Sequence, residues 1–252
     1  MSGPTPTAVA EQTARAIQTV PARFMVAAET HSRAAELGYT VHLSFQVCGR
    51  GGVLGEVDAD VVAAGMVFMH PAVVRRAWDA GAAVLPRPDA AGVFADSAHV
   101  WARRHLTADP AWDRLAELAE RVVRGAHCAA APVFAGWRSL PVPGDGREAA
   151  VHHLNGLREL RAARHAVGVL AAGLVPGEAV CHRHPGIAPD FGWSVESDLA
   201  GIDPEDCGRR WAAAEATTDE LFARDLSILD GPDLEEFSTL AQRLHSELRG
   251  RR

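Results

Sequence analysis

Hydrophobic residues recur every three to four positions along most of this chain, which is the spacing of an amphipathic α-helix. Alternation of apolar and polar residues, which a half-buried strand requires, is almost absent. The pattern therefore predicts an all-α protein, a multi-helix bundle of about ten helices. The segments with helical spacing include 6–19, 22–37, 89–105, 110–127, 147–162, 164–174, 176–184, 204–228 and 232–249.

A proline-rich connector interrupts the helical pattern near the middle of the chain. It contains Pro132, Pro141 and Pro143, and proline removes a backbone donor and breaks a helix interior. The connector divides the chain into a helical part at 1–135 and a second at 147–252. The two parts are expected to form either two units or one continuous domain.

Composition narrows the class of protein. The net charge is −7, which argues against a broad nucleic-acid-binding face. All 25 basic residues are arginines, so lysine chemistry through a Schiff base is excluded. The four cysteines are scattered, and no apolar stretch reaches the roughly 18 residues that a membrane span needs. A cytoplasmic protein without membrane or nucleic-acid partners is expected.

Four of the 12 histidines lie in largely apolar helical stretches: His31, His70, His165 and His182. Any one of them is most simply a core residue satisfied by a single hydrogen bond. Burying an unpaired polar ring costs roughly 1–3 kcal/mol, so four such rings predict shared partners. Because a bundle core draws one inward residue from each helix, we expect one buried cavity with Glu159 at its edge.

Two cofactor chemistries fit these histidines. His31, His70, His165 and His182 are candidate ligands of a divalent metal, zinc or iron, although no HExxH or CxxC motif is present. For haem, one histidine in an apolar pocket would suffice, and His70 and His165 are the best candidates. The sequence does not decide between haem, a metal ion and no cofactor.

Metal-free catalysis is the third alternative. His165 oriented by the carboxylate of Glu159 would form an acid–base pair, and His70 is the remaining catalytic candidate. Arg158 would bind a carboxylate or phosphate, which completes a cofactor-binding set with His31, His70 and His165.

Three further histidines, His152, His153 and His184, are not all taken as site candidates. His152 and His153 point about 100° apart on a helix, so at most one of them is expected to be functional. His184 precedes Pro185 and is expected at a polar helix end, where a cationic side chain is favoured.

Several segments carry a resemblance to a known family. The chain resembles an actinobacterial family labelled as helix-turn-helix-like proteins, over roughly residues 22–185, and the family label implies DNA binding. His31, His70, Glu159, His165 and His182 match the pattern at their own positions. The segments that carry the resemblance are AAETHSRAAELG, GVLGEVDADVVAAGMVFMHP with its F-x-H-P motif, PVFAGWRSLPVP and LRELRAARHAVGVLAAGLVPGEAVCH.

The chain departs from that family in two places. Leu160 and Ala163 stand where relatives have a histidine and an aspartate. Beyond Trp193 the family continues into a helix, a recognition segment and a wing, whereas residues 194–210 look too short and too proline-broken to build that unit. Residues 194–247 also carry 14 acidic residues and 4 arginines, a net charge of −10 that should repel DNA phosphates.

Three functions are therefore weighed. We favour a small-molecule enzyme or binder with a buried histidine-rich pocket, expected in a bacterial biosynthetic pathway, whose partners are a small ligand and a second copy of the chain. The alternatives are a transcriptional regulator related to helix-turn-helix proteins and a helical protein-interaction partner, which the acidic C-terminal part also suits.

Overall fold

A computed structural model describes residues 3–250 of the chain, and this part is 72% helical with no strands. Eleven of its α-helices have at least seven residues, which confirms the predicted all-α bundle. The α-helices are α1 (Pro6–Thr19), α2 (Ala22–Met25), α3 (Ala28–Leu37), α4 (Ser44–Gly51), α5 (Ala59–Gly65), α6 (Pro71–Gly81), α7 (Arg87–His105), α8 (Pro110–Gly125), α9 (Pro132–Trp137), α10 (Gly146–Ala171), α11 (Pro176–Arg183), α12 (Val195–Asp198), α13 (Pro204–Leu226) and α14 (Gly231–Gly250).

Local sequence explains where the long helices begin. The side chains of Asp109, Asp145 and Asp203 accept hydrogen bonds from backbone amides in the first turns of α8, α10 and α13. In α8 and α13 the next residue is a proline, which needs no amide donor at the first helical position.

Three helix boundaries differ from the sequence-based expectation. The predicted helix 22–37 is split into α2 and α3 by Val26 and Ala27, whereas the predicted segments 147–162 and 164–174 form one continuous helix. The latter follows because Ala162 and Ala163 favour a helix and contain no breaker. Part of the proline-rich connector forms α9, whose first residue is Pro132.

Helix α10 is the centre of the molecule. It has 26 residues and packs against α7, α8 and α13, so it has few solvent-facing positions. The main core contains residues from Val9 to Leu248, and both predicted parts, 1–135 and 147–252, contribute to it. The division into two parts stays a prediction.

Two smaller apolar clusters lie beside the main core, around α11 and the start of α13. Phe68 packs against both clusters, Trp211 against one and Trp193 against the other. These three rings are named here the aromatic cluster. No helix within residues 3–250 is long and apolar enough to cross a membrane.

Candidate functional site

His165 lies within the aromatic cluster and is held by α13. Its ring centroid is 5.2 Å from that of Phe68 and 5.0 Å from that of Trp211. Because the Thr218 hydroxyl donates to a backbone carbonyl, its oxygen accepts from Nδ1–H of His165 at 3.0 Å. Nδ1 is also 3.3 Å from a carboxylate oxygen of Glu215. The proton is therefore placed on Nδ1, and Nε2 is left to accept from a ligand.

The electrostatic surroundings keep the His165 ring neutral. Burial, together with the nearby charges of Arg161 and His184, lowers the pKa of His165 to about 4. A neutral imidazole is suited to binding a ligand, but a group with this pKa is a weak general base near neutral pH.

His70 and His182 contact the same aromatic cluster. The His70 ring is 4.8 Å from the Trp193 ring, and its Nδ1 accepts from the amide of Ala72 and so caps α6. The His182 ring lies 6.2 Å from that of Trp211. Three of the four predicted histidines therefore border one aromatic cluster, through contacts that also have structural roles.

His31 does not belong to this group. It lies on α3, where Thr30 is the one fully buried residue, and its own side chain is exposed. The prediction that four histidines share one buried cavity is wrong for His31, because the short helix α3 covers α7 with a different face. Within residues 3–250, no group of three or more His, Cys, Asp or Glu side chains is arranged to hold a metal ion.

Glu159 is buried in an ion triad instead of lying beside His165. Its carboxylate accepts from Arg50 at 2.8 and 2.9 Å and from Arg158 at 2.8 Å. Burial acts to raise the pKa of Glu159, but the charges and hydrogen bonds of both guanidiniums outweigh it and lower the pKa. The predicted acid–base pair of His165 and Glu159 is therefore not formed, since each residue has other partners.

The Arg158 guanidinium is already paired with the Glu159 carboxylate. Burial lowers its pKa to about 10, against the opposing effect of Glu159, and its side chain is 12% exposed. An external anion would have to displace Glu159 to bind there. The catalytic and cofactor-binding roles assigned to His31, His70, His165, Arg158 and Glu159 stay predictions.

Sequence reasoning missed a buried histidine pair. Nε2 of His99, on α7, is 3.2 Å from Nδ1 of His152, on α10. His153 is also buried, so both adjacent histidines are internal because α10 is surrounded by other helices. The sequence did contain an indication of this burial, because residues 149–157 include no charged side chain. A helical segment that is uncharged on every face is typical of a helix covered on several sides.

Three arginines from three helices gather around His245. Arg15, Arg23 and Arg249 all act electrostatically to lower the pKa of His245, although burial is the larger cause. Thr19 joins the helices through a 3.1 Å hydrogen bond to Nδ1 of His245. We name Arg15, Arg23 and Arg249 the arginine patch. In the part of the chain that the structure describes, none of the three forms an ion pair with a carboxylate.

The acidic C-terminal part is less negative in space than in sequence. Seven of its 14 acidic residues form ion pairs, five of them with arginines outside residues 194–247. The pairs are Asp206 with Arg209 and Arg210, Glu215 and Asp219 with Arg161, Asp225 with Arg164, Asp233 with Arg114 and Arg121, Glu236 with Arg114, and Glu247 with Arg243.

Together these features describe an all-helical protein with a locally basic surface and a histidine-bordered aromatic cluster. The chain belongs to a helix-turn-helix family, whose model matches residues 10–251. No match was found among curated proteins or among solved structures.

The family overturns one expectation. The prediction that nucleic acid is not a partner is wrong, because a helix-turn-helix family points to DNA binding. The charge argument failed because it summed charges along the sequence, whereas in the fold arginines of α8 and α10 pair with acidic residues of α13 and α14. A local potential, not the net charge, governs association with DNA.

Proposed function

We propose that this protein is a DNA-binding regulator of transcription. The observation that carries the proposal is the family match, which covers nearly the whole chain and not a short motif. This replaces the enzyme as the favoured function, since neither the geometry of the histidines nor the comparisons support catalysis.

The charge distribution supports the same function. DNA binding requires basic side chains that are free to replace the counterions of phosphates. Most arginines in the described residues are engaged by carboxylates, but Arg15, Arg23 and Arg249 are grouped and have no such partner. The protein thus has a basic surface despite a net charge of −7.

The proposal is tested by selection of bound duplexes from a random-sequence DNA library. The untagged full chain is incubated with the library near 150 mM salt, and bound DNA is sequenced over successive rounds. Enrichment of one recurring sequence is the expected result, because a regulator discriminates its site from other DNA by roughly 10³-fold or more. Bound pools that stay as diverse as the starting library would contradict the proposal.

A second candidate function is ligand binding at the aromatic cluster. It is favoured by His165, whose ring contacts those of Phe68 and Trp211, and by His182, whose ring is 6.2 Å from that of Trp211. We propose that a regulator of this family would use such a site to respond to a small molecule.

The second candidate is tested on untagged protein by its absorption spectrum and metal content. A haem absorption band or a stoichiometric metal that His165→Ala abolishes, while the helical content is unchanged, would support it. The matched control is His31→Ala, which changes an exposed histidine away from the cluster. Protein that contains neither haem nor metal, or loading that His165→Ala leaves unchanged, would contradict a cofactor at this site.

A further inference from the structure

We infer that the arginine patch is the surface that binds the phosphate backbone of DNA. This inference rests on the proposed function and goes beyond it, since it assigns the contact to three named residues on α1, α2 and α14. It also assigns the contact away from residues 194–210, where the family resemblance places a recognition unit.

The segment after Trp193 is unsuited to that role. Its only helix before α13 is α12, with four residues, and the structure has no strand within residues 3–250 that would form a wing. Glu196 and Asp198 lie in that helix and Asp203 follows it, so the segment would repel phosphates.

The patch has the chemistry that phosphates require. Arg15 and Arg249 are exposed and Arg23 is partly buried, and each guanidinium can donate two parallel hydrogen bonds to one phosphate. The 3.1 Å hydrogen bond between Thr19 and His245 joins α1 to α14. Each arginine of the patch lies four residues, about one helical turn, from one of these two bonded residues. The hydrogen bond thus brings positive charge from three helices to one junction.

Nearby acidic residues offset only part of this charge. Glu247, two residues before Arg249, is paired with Arg243. Glu11 lies one helical turn before Arg15 and forms no ion pair within the described residues.

Other unpaired arginines provide a matched control. Arg76, Arg183 and Arg224 are exposed, lie on α6, α11 and α13, and form no ion pair within the described residues. They are dispersed along the fold and do not act on His245. Replacing these three removes the same net charge as replacing the patch, without touching the proposed surface.

The test measures binding of a labelled random-sequence duplex by fluorescence anisotropy between about 50 and 200 mM salt. The variants are the patch triple (Arg15→Gln, Arg23→Gln, Arg249→Gln) and the control triple (Arg76→Gln, Arg183→Gln, Arg224→Gln). Each lost phosphate contact lowers the slope of log affinity against log salt by about 0.9, so the patch triple should lose about 2 to 3 units of slope and tenfold or more in affinity. The control triple should behave like the wild type.

Folding and function are separated by two further measurements. Thermal unfolding shows whether the patch triple is folded, and a lysine triple at the same positions (Arg15→Lys, Arg23→Lys, Arg249→Lys) keeps the charge and should keep most of the salt slope. Equal binding by the patch and control triples would overturn the inference while leaving DNA binding intact. Absence of any binding by the wild type at the lowest salt would overturn the proposed function itself.

Discussion

Nε2 of His99 and Nδ1 of His152 lie 3.2 Å apart, so two buried imidazoles share one hydrogen bond between α7 and α10. Both residues are less than 8% exposed, and His153 packs edge-on against His152. Burial, with the nearby charges of His153 and His99, lowers the pKa of His152 to about 3. Burial lowers the pKa of His153 to about 4, against the opposing charge of Glu120.

This cluster predicts that the protein loses stability in mild acid. Because these pKa values are below the ordinary value of about 6.5, the unfolded chain binds more protons than the folded chain as the pH falls through that value. The stabilisation is fully present above about pH 6.5 and is lost as the pH falls towards 4. Each such histidine contributes on the order of 1 kcal/mol per pH unit in that window.

The measurement is the free energy of unfolding in urea at several pH values between about 7 and 4. His152→Gln removes one titrating ring and should flatten the pH dependence, whereas His31→Gln, on the surface, should not change it. An unfolding free energy of the wild type that is constant over this range would show that the buried histidines are not linked to folding.

Replacement of Glu159 should destabilise the protein strongly. Glu159→Gln leaves Arg50 and Arg158 buried without their common carboxylate, and removing one partner of a buried ion pair typically costs about 3–5 kcal/mol. The comparison is Asp60→Asn, which breaks an exposed pair with Arg75 and should cost less than about 1 kcal/mol. Urea unfolding of both variants tests this, and equal costs would contradict the assignment of the triad to the core.

Two glycine-to-alanine substitutions are expected to have opposite effects on stability. A Cβ added to Gly168, on α10, would lie 2.5 Å from the backbone oxygen of Ala214, on α13, and that atom cannot move alone. Gly168→Ala should therefore destabilise by about 1–3 kcal/mol. Gly208, inside α13, faces open space, and Gly208→Ala should stabilise by up to about 1 kcal/mol.

Thermal unfolding of the two alanine variants checks this pair. A Gly168→Ala protein with a wild-type melting temperature would mean that α10 and α13 are not in contact at this position.

Most of the helices could be predicted from the sequence, but few of the side-chain contacts at the candidate site could. In the predicted helical segment 110–127, Leu115, Leu118 and Val122 stand at helical spacing, and all three are fully buried. Periodicity identifies the inner face of a helix that has one covered side. It fails for α10, which is covered on several sides, and so the internal position of both His152 and His153 was missed.

The predicted partners of side chains were the least reliable, because partners come from other helices. His165 and Glu159 are six residues apart, and the structure gives them partners on different helices, Thr218 on α13 and Arg50 on α4. His31 was judged by its apolar neighbours in sequence, but α3 is short and leaves it in solvent. The partners and the exposure of a side chain depend on how the helices pack, which the spacing of residues along the chain does not show.

DNA binding is the central claim, and a ratio of two affinities measures it most directly. The full chain is titrated near 150 mM salt with the duplex enriched from the random library and with a scrambled duplex of equal length and composition. We predict a preference of roughly 10³-fold or more for the enriched duplex. Equal affinity for the two duplexes, or no binding to either, would contradict the assignment of this protein as a transcriptional regulator.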